Sequence, residues 1–192
     1  MNIAQKTHEK FVKEYLSDTI FMYNASDATK IPLREKPAKI EKEDKPKLKR
    51  GRPKKGEIRE PIKPKILEQQ KDMTTTKDIL SLVSTKCGVG IKQNSKGNRE
   101  VWIGGKLHIS AVDGDIPVVA FYSGANVHDS SVALPLINET SKRVIYLHDL
   151  LDVGYDSDII REYSQRLNHK PIIDINPKNS KELKAKIALG HL

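Results

Sequence analysis

"RVIYLHDLLD" (143–152) is the stretch on which the fold turns. Between Arg143 and Asp152 the apolar residues run almost without a break, and a charge closes each end. A strand with one wet face alternates apolar and polar residues, whereas a near-continuous run marks a strand buried on both faces. Such strands belong to sheets whose connections are helical crossovers. The flanks agree with this. Upstream, "DSSVALPLINET" (129–140) suits a helix. Downstream, "DSDIIREYSQRLN" (156–168) predicts a helix opened by Asp156 or Ser157, followed by a second short buried strand in "KPIIDINP" (170–177).

Further out the pattern changes. "REVWIGGKLHISAV" (99–112) and "IPVVAFYSGAN" (116–126) are apolar runs separated by Asp113-Gly114-Asp115, a hairpin signal. "IFMYNASDATKI" (20–31) has the β-branched and aromatic residues of a strand and ends polar. Helices are expected over 8–17, with Phe11, Val12 and Leu16 on one face, and over 75–86, beginning at a threonine cap. A hairpin followed by strand–helix alternation implies an α/β fold: one mixed sheet with helices packed on it. The expected sheet contains 20–27, 99–112, 116–126, 143–152 and 170–176.

One part of the chain does not fit a sheet. From Arg34 to Lys71 there are fifteen Lys and Arg against seven Asp and Glu, nearly all of the chain's net charge of +9. The same segment holds five of the ten prolines and no aromatic residue. Such a composition buries too little apolar surface to offset its ordering entropy, so 38–72 reads as a disordered basic insertion. The chain then divides into an N-terminal helix and first strand (1–37), the insertion (38–72), the rest of the α/β core (73–176) and a polar tail (177–192). A single cysteine, Cys87, excludes an internal disulfide and fits a reducing compartment. No apolar run is long enough to span a bilayer, and the first residues lack a signal-peptide core, so no membrane partner is expected.

Within the insertion, "KRGRPKKGE" (49–57) centres five cationic residues on Arg50-Gly51-Arg52-Pro53. Glycine lets the backbone approach the floor of a narrow groove, and the arginines reach into the negative potential of A·T-rich minor grooves. Proline keeps the path extended, and Lys49, Lys54 and Lys55 neutralise phosphates. This resembles an AT-hook, and double-stranded DNA is the expected partner. A merely basic, solvated linker is the alternative.

Asp27 lies at the polar end of the first predicted strand, and Asp152 ends the fourth. Carboxylates just past buried strands sit on rigid backbone and reach solvent, and two on neighbouring strands can share a divalent ion. Spacing alone equally allows each to cap a turn. Longer strings add to this: "SDATKIPLREKP" (26–37), "KQNSKGNREVWIGGKLHISAVDGDIPV" (92–118), "SGANVHDSSVALPL" (123–136) and "YLHDLLDVGYDS" (146–157) resemble the DDE transposases of bacterial insertion sequences. The resemblance implies an RNase H-like fold and phosphodiester chemistry with Mg²⁺ (or Mn²⁺). It places the first catalytic and metal-binding aspartate at Asp27, in Asp27-Ala28-Thr29, and the second at Asp152, in Asp152-Val153-Gly154-Tyr155. It also implies a cytoplasmic, nucleoid-associated protein that acts on transposon ends, with self-association left open.

The family's third acidic ligand is a Glu on a helix well beyond the last strand, and these 192 residues hold no matching run. The resulting expectation is a fragment that retains DNA binding without transposition. A non-catalytic DNA-binding protein is one alternative. Another is a nuclease of the same fold with a local third ligand, Glu162 or Asp156; Glu182 sits in the polar tail. Ser110 stands where relatives often carry an acidic residue. His108, His128 and His148 lack the spacing of a zinc site and read as structural. His128-Asp129 falls in a recurring family motif and is placed near the site without a role.

Overall fold

The computed structural model describes residues 3–39, 64–93, 96–177 and 180–189. Helix α1 (Ile3–Tyr15) leads into β1 (Ile20–Pro32), and two short helices follow, α2 (Ile66–Gln70) and α3 (Thr76–Ser81). Then come β2 (Gly88–Gln93), β3 (Arg99–Val112), β4 (Ile116–Gly124), α4 (Ser130–Ser141), β5 (Ile145–Leu151), α5 (Asp158–Arg166), β6 (Lys170–Ile173) and α6 (Lys181–Ala188). The six strands form one mixed sheet in the order β2-β3-β1-β5-β6, with β4 also paired to β3. β1, β2 and β4 all run antiparallel to β3, while β1–β5 and β5–β6 are parallel. Each of the five strand segments expected from the sequence contributes a strand to this sheet, although β6 stops at Ile173, three residues short of its expected end.

The β3–β4 hairpin turns where Asp113-Gly114-Asp115 predicts it. Gly114 (φ 80°) and Asp115 (φ 59°) adopt the left-handed conformations that a tight turn requires. The Asp113 carboxylate accepts from the amides of Met22 and Tyr23, tying the hairpin to β1. β2 was not foreseen, because two of its six residues are glycines. Its Gly90 lies against Trp102, where an added Cβ would come within 2.3 Å of the ring. A residue chosen for close approach carries no strand propensity to read.

Two expectations need correction. β5 is not buried on both faces. Tyr146, Asp149 and Leu151 are buried, but Ile145 is 53% exposed and Leu147 is 44% exposed. Ile20, paired with Ile145, is exposed on the same sheet, as is Ile172 of β6. The apolar run therefore reports strand propensity on one face and burial on the other.

The folded core also reaches further into the basic segment than its composition predicts. Residues 40–63, including the AT-hook-like stretch, lie outside the described residues, but 64–72 belong to the folded core. Gln70 of α2 is fully buried, and the reason lies in α4. Pro135 sits inside that helix and has no amide hydrogen to offer the carbonyl of Ser131, four residues earlier. The Gln70 Nε2 donates to that carbonyl at 2.9 Å and to the Ile79 carbonyl at 3.1 Å. A backbone acceptor orphaned by proline is thus satisfied from another helix.

Gln70→Ala is expected to lower stability by about 2–4 kcal/mol, since two buried carbonyls lose a donor. The check is a double-mutant cycle with Pro135→Ala, measured by urea unfolding. Restoring the amide at position 135 should reduce the cost of Gln70→Ala, and strict additivity would refute the pairing.

α4 is the hub of the core and is buried along nearly its whole length, from Ser131 to Thr140. It packs with β3 and β4 and with α2, α3 and α5. Val132 and Leu136 join a cluster with Val12, Phe21, Val118 and Tyr146. Ala133, Leu134 and Ile137 join a second with Ile79, Tyr155 and Ile160. Arg143, just past α4, bonds Glu139, Glu9 of α1 and the Val118 carbonyl, which fixes α1 to the core.

Candidate active site

The register of β1 and β5 places the two predicted aspartates together. Ser26 pairs with Leu151, the last pair of the parallel ladder, and the next residue on each strand is Asp27 and Asp152. Asp27 continues in β1, opposite Ile109 of β3. Asp152 follows β5 directly and caps a 3₁₀ turn, Val153–Tyr155. Each carboxylate takes one local amide: Asp27 from Ala28 at 2.7 Å, Asp152 from Val153 at 2.6 Å. Both side chains are exposed. They keep acceptor capacity toward a cleft of about 400 Å³ that they line together.

The cleft contains a third aspartate, Asp129, at the start of α4, together with Glu100 and the ammonium of Lys106 from β3. Lys106 bonds Asp129 at 2.8 Å and the Val127 carbonyl at 2.9 Å. Tyr155 closes the wall, and its hydroxyl is driven above the ordinary phenol range by burial and then by Asp129, Asp27 and Asp152. His108, fully buried beneath, is pushed down to about 4 by burial, with Asp129 and Asp27 opposing and Lys106 adding to the fall. The sequence put His128-Asp129 near the site, and the carboxylate is there. Its signal was the motif position, since no spacing rule singles it out.

The other candidates lie elsewhere. Glu162 lines a separate hollow with Lys71 and Arg166. Asp156 accepts from Arg161 and from the Asn176 amide, tying α5 to the segment after β6. Ser110 is buried and bonded to Asn24 and Thr140. The three histidines all have structural partners: His108 contacts Ser123, His128 contacts Ser130 at the start of α4, and His148 contacts the Met22 carbonyl. Glu182 lies in α6. Lys49, Arg50, Gly51, Arg52, Pro53, Lys54 and Lys55 lie outside the described residues. Cys87 is a free, half-buried thiol.

The donor set fits a hard divalent cation. Mg²⁺ takes carboxylate oxygens, often only one or two, and completes its shell with water and phosphate. Asp27 and Asp152 offer such oxygens at an open cleft. Among the described residues, no group of three or more His, Cys, Asp or Glu closes on a common point. No helix among the described residues is long and apolar enough to cross a membrane. Comparison of the chain with family models, with curated proteins and with solved structures returns no match.

Proposed function

We propose that the chain is the core of a DDE-type transposase of bacterial insertion sequences, a DNA-binding α/β domain that holds a divalent metal between Asp27 and Asp152. The observation that carries this reading is the β1–β5 register, which sets the two motif aspartates side by side over one cleft. The sheet supports an RNase H-like identity: antiparallel strands β4, β3 and β1 run on into the parallel strands β5 and β6.

Mg²⁺ or Mn²⁺, when bound, supplies Lewis-acid polarisation of a phosphodiester and of the attacking oxygen. Asp27, within β1, and Asp152, just past β5, would hold the cation from rigid backbone. Lys30 and Lys92 at the rim, with the basic 49–55 stretch, offset phosphate charge along a DNA backbone. Lys30 is ion-paired with Glu100, so part of its charge is already neutralised.

A second reading has DNA binding without strand transfer. The absence, among the described residues, of a three-ligand cluster favours it, because an incomplete shell loosens the in-line geometry on which rate depends.

Metal binding tests the first reading. Mn²⁺ titration followed by electron paramagnetic resonance should show a site that is lost in both Asp27→Asn and Asp152→Asn, with thermal unfolding little changed. Undiminished binding in either variant would remove the metal from this cleft. Incubation with Mg²⁺ or Mn²⁺ and the element's own end sequence then separates the two readings. Nicking that disappears in both variants supports a complete catalytic centre, and binding alone supports the second reading.

A further inference from the structure

The wall of the cleft holds a buried polar atom without a partner. Tyr155 is 2% exposed, and its hydroxyl has no hydrogen-bond partner. The His108 Nδ1 is also buried and unpartnered. Buried polar groups are nearly always bonded, so the Tyr155 hydroxyl, left open on the cleft wall beside three aspartates, points to a group that arrives there. The charged neighbours acting on the tyrosine are Asp129, Asp27 and Asp152.

Asp129 itself is unusually free for its position. An aspartate at a helix start ordinarily caps the first amides, but its side chain makes no cap bond. His128 takes that role, its Nδ1 lying 3.3 Å from the Ser130 amide. The Asp129 carboxylate turns instead to Lys106. Lys106, whose side chain is 15% exposed, keeps a second anchor on the Val127 carbonyl. It can therefore release the carboxylate without losing its place.

We infer that Asp129 is a third carboxylate of the Asp27–Asp152 cleft, held by the Lys106 ammonium until a divalent cation takes it over. This rests on the reading that Asp27 and Asp152 bind a divalent metal. Asp27, Asp129 and Asp152 line the cleft beside Lys106, and Glu100 of the same cleft is already paired with Lys30, so the aspartate oxygens are the ones left to meet a divalent ion. Lys106 and the ion compete for the same oxygens, and this explains why three aspartates line one cleft without closing on a point. The Tyr155 hydroxyl then has a role as an outer donor, which orients an oxygen already committed to the ion.

The test measures Mn²⁺ affinity of the full 192-residue chain by electron paramagnetic resonance, with thermal unfolding in the absence of Mn²⁺ as the check on folding. Asp129→Asn should weaken binding about 10-fold or more, and Tyr155→Phe should weaken it without lowering the metal-free midpoint. Lys106→Met should strengthen binding, because the competing cation is gone; Lys106→Gln serves if that variant fails to fold.

The opposite signs are decisive. A purely structural ion pair would make the Asp129 and Lys106 variants weaken binding together, and that result overturns the inference. Unchanged affinity in Asp129→Asn also overturns it. If Asp27→Asn and Asp152→Asn abolish binding while Asp129→Asn does not alter it, only the role of Asp129 falls. If those two variants leave binding intact, the underlying metal reading falls as well.

Discussion

Asp149→Ala should lower the stability of the fold by about 3–5 kcal/mol, because hydrogen bonds to a buried charged acceptor contribute about 1.5–3 kcal/mol each. Asp149 is fully buried in β5. It accepts from the Asn24 side-chain amide at 3.0 Å and from the Ser164 hydroxyl at 2.6 Å, and the His169 ring nitrogen lies 3.3 Å away. Asn24 in turn accepts from Ser110, which also contacts Thr140 of α4. One carboxylate therefore links β1, β3, β5, α4 and α5.

Its charge, after burial itself, also drives the Tyr146 hydroxyl above the ordinary phenol range. Alanine leaves the donors of Asn24 and Ser164 buried without an acceptor, and it opens a space in the wall of the sheet. For a chain of this size, each kcal/mol shifts the thermal midpoint by about 2–4 °C, so a fall on the order of 10 °C is expected. Urea unfolding of Asp149→Ala and Ser164→Ala, alone and combined, checks the account. A loss under about 1 kcal/mol for Asp149→Ala would contradict the network, because typical surface changes already reach about half that.

Binding to A·T-rich duplex should fall about 10³-fold or more between 50 and 200 mM salt, if six or more phosphates are neutralised. Fifteen cationic residues between Arg34 and Lys71 are enough for that number of contacts. The two effects in the 49–55 stretch are separable. Lysine contacts to phosphate carry the salt slope and are indifferent to sequence, while Arg50 and Arg52 read the narrow A·T groove. Arg50→Ala with Arg52→Ala should therefore abolish the A·T preference and leave weak, salt-sensitive binding. Fluorescence anisotropy on matched A·T-rich and G·C-rich duplexes reads both effects. Equal affinity for the two duplexes in the unaltered chain would return this stretch to a plain basic linker.

Much of the sheet is legible in the sequence, because its strands are long and their limits are written in local chemistry. Asp113-Gly114-Asp115 can only turn tightly, and the apolar runs on either side of it are long enough to pair. "RVIYLHDLLD" reads as a strand from its residues alone, and the motif aspartates Asp27 and Asp152 stand at or near strand ends in that same reading.

What escaped depends on residues distant in sequence. β2 is hidden by Gly90, which exists for the Trp102 ring. Gln70 looks like part of a polar insertion until Pro135 is seen to leave an acceptor for it. Asp149 and Asp152 stand three residues apart in one apolar run, equally acidic on paper. Pairing with Asn24 and packing under α5 bury the first in a network, while the end of the β1–β5 ladder delivers the second to the cleft. Side-chain type and local periodicity specify the elements. Which carboxylate is buried and which meets solvent is decided only when the strands register, because burial and charge pairing belong to neighbours the chain brings together by folding.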